Sequence, residues 1–68
     1  MITDDAELET TLDRIRQFQN QLAHLRRVEK NPVNYRLSSS GFIAEVDRMQ
    51  LEVREYLSRL PAELAPTG

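Results

Sequence analysis

Four carboxylates crowd residues 45–55 of the chain, Glu45, Asp47, Glu52 and Glu55, and paired carboxylates are groups that general acid–base chemistry uses. Glu45, Glu52 and Glu55 stand three or four residues from Arg48 or Arg59, the spacing at which side chains on one helical face form ion pairs. That spacing predicts solvated pairs and no acid–base couple. Ser38, Ser39 and Ser40 offer three consecutive hydroxyls, but a nucleophilic hydroxyl needs an activating base. The single histidine, His24, lies in the other half between Ala23 and Leu25 and has no identifiable partner. Serines just ahead of an apolar run read better as helix caps. Two glycines, Gly41 and Gly68, cannot build a phosphate cradle, and a chain with no cysteine and one histidine has no metal-ligand cluster of the Cys/His type. No catalytic, cofactor-binding or metal-binding residue is expected, and the chain reads as a non-enzyme.

Binding chemistry has one candidate, the basic group Arg26, Arg27, Lys30 and Arg36 with Tyr35 among them. Duplicated in an oligomer, it offers charge and a stacking ring to an anion or a nucleic acid. The ordinary role competes, because basic residues in the last turn of a helix answer the negative end of its dipole. A net charge of -2 also opposes a nucleic-acid partner. The charge is unevenly spread: residues 1–13 sum to -5, residues 14–36 to +5 and the remainder to -2.

The elements that must position these residues are helices. Phe42, Val46, Met49, Val53, Tyr56 and Leu60 recur at alternating steps of four and three, the period of a helix seam packed on another helix. In the first half Leu8, Ile15 and Leu22 repeat every seven residues, with Leu12, Phe18 and Leu25 beside them, while Thr11, Gln19 and Ala23 flank the stripe; these six apolar residues are expected to meet the second seam in the core and to form with it the oligomer or partner interface. Asp4 with Glu7 three residues on resembles a capping box, and five acidic residues near the start suit the positive end of a helix dipole. A first helix is expected over about 4–30, stopped by Asn31 and Pro32. A connection over 31–40 follows, then a second helix over about 39–60 that starts at Ser38 or Ser39, and a tail over 61–68 after Pro61. An earlier start at Asn34 is open, because Tyr35 extends the second repeat backwards, but it places Gly41 inside a helix at about 1 kcal/mol. The short connection makes the two helices antiparallel. That arrangement is expected to bring acidic residues 4–13 near Arg54 and Arg59, and Arg26 and Arg27 near Glu45 and Asp47.

Sixty-eight residues make a single small domain with little core, and without cysteine the remaining staple is oligomerisation. Ile43 and Leu57 on one side of the second seam, with Leu12 and Ala23 beside the first, give apolar faces wider than a two-helix contact covers. Two hairpins joined about a two-fold axis would close a four-helix bundle. The expected fold is therefore all-α, an antiparallel two-helix hairpin assembling into a four-helix bundle, as a homodimer or a tetramer. Leu51, across the helix from Met49 and Val53, is expected to be a singly exposed leucine. The opening MITDDAELET lacks the basic and apolar regions of a secretory signal, and no apolar stretch reaches bilayer length, so a cytoplasmic location without membrane contact is expected.

The segment NPVNYRLSSSGFIAEVDRMQLEVREYLSRLP, with N-Y-R followed by G-F-x-A-E-x-D-R-M-x-L-E-V-R-E-Y-L, resembles a group of short bacterial helical-hairpin proteins, some loosely described as antitoxin-like. The match covers roughly the second half. The resemblance implies a small regulatory protein that masks another protein through its amphipathic face. It implies no DNA-reading role, because the chain has neither a helix-turn-helix unit nor an amino-terminal alternating strand.

Overall fold

The computed structural model describes residues 1–59, and within them the chain forms two helices, α1 over Asp5–Val28 and α2 over Pro32–Leu57. The expected positions of Leu60, of the Pro61 stop and of the 61–68 tail lie outside the described residues. Helix α1 opens as its sequence predicts: Asp4 caps it by accepting the Glu7 amide at 2.8 Å, and the Glu7 carboxylate reaches back to accept the Thr3 amide at 2.8 Å.

The connection is far shorter than ten residues. Helix α1 ends at Val28, the Glu29 amide donates to the Leu25 carbonyl at 2.8 Å, and α2 begins at Pro32 after only Glu29, Lys30 and Asn31. Asn31 both ends the first element and caps the second, its side-chain oxygen accepting the amides of Val33 at 2.9 Å and Asn34 at 3.2 Å. Pro32 occupies the first helical position, where its missing N–H is no loss and its fixed φ is pre-set for a helix. The expected start at Ser38 or Ser39 is thereby corrected to Pro32. Gly41 lies inside α2, where a Cβ would meet nothing within 4 Å, so no neighbour requires glycine there. The serines are helix interior, not caps: Ser39 and Ser40 donate to the carbonyls of Arg36 at 3.5 Å and Leu37 at 3.1 Å.

The two helices form an antiparallel hairpin joined along one seam. Tyr35, Ser39, Phe42, Val46, Met49, Val53 and Tyr56 are less exposed positions of α2 at unbroken steps of four and three, with Glu45 and Glu52 beside them also half-buried. They face Leu8, Thr11, Ile15, Phe18, Leu22 and Leu25 of α1. Ile15, Val46 and Met49 make the buried core, with Phe18 and Val53 packed against it. The Phe18 and Phe42 rings sit 5.6 Å apart and tilted by 55°, a favourable aromatic geometry. Leu12, expected among the core residues, lies one position off this seam and is 41% exposed; Thr11 takes the seam position instead. Ile2, ahead of α1, is buried.

Candidate interaction face

A hairpin has two flanks, and on this one they differ in chemistry. On the first, Glu7, Thr10 and Arg14 of α1 share a groove with Arg48 and Glu52 of α2. Arg48 there pairs with Glu45 and, at 3.2 Å, with Glu52, so these carboxylates serve as ion-pair partners as their spacing predicts. The hydrogen bond and charge of Glu45 raise the guanidinium pKa above its ordinary value. Among the described residues Glu55 and Arg59 form no such pair.

On the second flank the groove between the helices is lined by Leu12, Ile15, Arg16 and Gln19 of α1 with Gln50 and Val53 of α2. Ile43 and Leu57 stand seven residues either side of Gln50 and therefore on its face, 45% and 62% exposed. Leu12, Ile43 and Leu57 are thus large apolar side chains facing solvent on one side of a thin hairpin. Leu51 is exposed on the outer surface of α2 but is not alone there: Leu37, two heptads earlier in the same helix, is exposed as well.

The charged ends do not close the hairpin in the way the sequence suggests. Among the described residues no ion pair crosses from α1 to α2, whether from the acidic start of α1 to Arg54 and Arg59 or from Arg26 and Arg27 to Glu45 and Asp47. A helix that meets its neighbour through one narrow seam leaves its charged residues pointing sideways, beyond reach of the other helix. Among the described residues the side-chain hydrogen bond that crosses from α1 to α2 is that of Tyr56, whose hydroxyl donates to the Asp5 carboxylate at 2.6 Å, and ahead of α1 the Met1 amino group lies 3.5 Å from the Glu52 carboxylate. That hydrogen bond, then partial burial, pushes the Tyr56 pKa up to about 12.

The basic group is brought to one end of the molecule, with Arg26 and Arg27 in the last turn of α1, Lys30 in the connection and Arg36 near the start of α2. Lys30 Nζ donates to the Arg27 carbonyl at 3.2 Å, which is helix-end capping. Tyr35 is half-buried in the seam between the helices. His24 is exposed, and no group of three His, Cys, Asp or Glu side chains among the described residues is placed to hold a metal. No helix among the described residues is long and apolar enough to cross a membrane.

Periodicity missed two seam features. Ser39 is buried to 2% exposure at a position that a search for apolar repeats passes over, although Tyr35 and Phe42 bracket it at the seam's own spacing. Ile2 lies outside either helix, where no periodic signal exists. No protein-family model matches the chain, and neither the curated proteins nor the solved structures contain a match to it.

Proposed function

We propose that this protein is a non-enzymatic structural or interaction module whose hairpin self-associates, as a homodimer, into a four-helix bundle. The observation that supports it most is the contrast between a thin core and an unused apolar flank. Only four hydrophobic residues among the described ones are buried, Ile2, Ile15, Val46 and Met49, while Leu12, Ile43 and Leu57 face water together. A two-helix chain gains too little from such a core to offset its conformational entropy with a wide margin. Covering the flank with a second hairpin removes that surface from water at about 25 cal/mol per Å². The cysteine-free composition suits a reducing compartment, so the proposal places the module in the cytoplasm.

Light scattering on the purified protein tests this reading. A particle of two chains, retained at micromolar concentration, is the expected result. A monomer would refute it and turn attention to the antitoxin-like alternative, in which another protein supplies the covering surface.

A further inference from the structure

We infer that the occupant of the apolar flank is a second copy of this chain, laid with α1 antiparallel to α1 about a two-fold axis that passes between Gln17 and Phe18. The inference rests on the self-association proposed above and specifies its geometry. Asp5, Glu9, Leu12, Arg16, Gln19, Ala23 and Arg26 recur along α1 at steps of four and three, one position beyond the seam, and so share the flank on which the groove opens. All are exposed.

This row is complementary to its own reversal. About the midpoint of Gln17 and Phe18, Glu9 is mirrored by Arg26, Leu12 by Ala23 and Asp5 by Lys30, just past the helix end. Antiparallel apposition therefore sets an acidic residue on a basic one at both ends and leucine on alanine between them, each pair occurring twice. The contacts within the hairpin fix what α2 does at the same time. With Asp5 beside Tyr56 and Phe18 beside Phe42, the axis falls at the level of Ile43, which meets Ile43 of the second copy, and Arg36 falls opposite that copy's Gln50, about one helical turn from its Asp47.

The other two-fold, which lays α1 of one copy over α2 of the other, matches badly. It opposes Leu12 to Asp47 and Gln50, Ile43 to Arg16 and Gln19, and Arg26 to Arg36. Apolar residues would face polar ones, and like charges would meet, which is costly at an interface. The ion-paired opposite flank, centred on Arg48, has no comparable apolar row. A face roughly 36 Å long and two helices wide covers on the order of 700 Å² per copy, close to the ~800 Å² per partner of a standard interface.

Two sets of variants test the geometry. Glu9→Arg and Arg26→Glu should each raise the dimer dissociation constant about tenfold or more, since each turns two attractive pairs repulsive. The double variant Glu9→Arg with Arg26→Glu should return to within about threefold of the unchanged protein. Ile43→Cys, in a chain with no other cysteine, should give a disulfide-linked dimer under mild oxidation, and Gln17→Cys on the opposite flank should not. A monomeric unchanged protein would overturn the self-association reading and this inference together. A dimer in which the double variant is no better than either single one, or in which Gln17→Cys cross-links and Ile43→Cys does not, would overturn the antiparallel geometry and leave self-association standing.

Discussion

Tyr56 makes a polar bond that ties the start of α1 to the end of α2, and its donor proton sets a pH limit on that tie. The bond holds the phenol neutral and raises its pKa in the fold to about 12, against an ordinary value of 10.0. A group whose folded pKa is raised contributes its stabilisation fully below the unfolded pKa and loses it as pH rises through the folded one. The folded state should therefore lose stability between pH 10 and 12. Tyr56→Phe, compared by denaturant titration across that range, should remove this component of the loss. A phenolate absorbance titration in a Tyr35→Phe background should place Tyr56 well above pH 10; a midpoint at 10 would refute the bond. Among the apolar residues Met49 is the least exposed, at 3%. Met49→Ala should destabilise by about 2–5 kcal/mol, read as a fall in the denaturant midpoint.

At the scale of the helices, two substitutions separate what caps α2 from what merely sits in it. Asn31→Ala removes the side-chain acceptor of two amides and should cost about 0.5–2 kcal/mol of stability. Gly41→Ala fills open space within the helix and should stabilise by about 0.5–1 kcal/mol, measured as a higher thermal midpoint. Had α2 begun at Ser38 or Ser39, Asn31→Ala would leave stability unchanged. Both helices and most of their seam were legible from the repeats of Ile15, Phe18 and Leu22 and of Phe42, Val46 and Met49, because a seam one helix wide imposes a strict period. The start of α2 was misplaced because Asn-Pro serves equally as a stop for one helix and as a cap with N1 proline for the next. Leu12 is apolar and adjacent to the stripe, which points to the core, but a polar seam residue, Thr11, wins that position on angle alone. The row of Asp5, Glu9 and Arg26 was visible as uneven charge, but its flank depends on which stripe α1 gives to α2, which only the packed pair shows.

For the whole molecule, a hairpin with a thin core and one apolar flank couples folding to association: the surface each chain lacks is supplied by its copy. Helix content should then depend on concentration, since diluting the dimer strands two hairpins with exposed leucine and isoleucine. The most direct measurement is far-ultraviolet circular dichroism with thermal melting, followed over a hundredfold range of chain concentration. The account predicts a thermal midpoint that falls steadily with dilution and helicity that declines once the dimer dissociates. A constant midpoint and full helicity across the range, in a chain that sediments as a monomer, would contradict it.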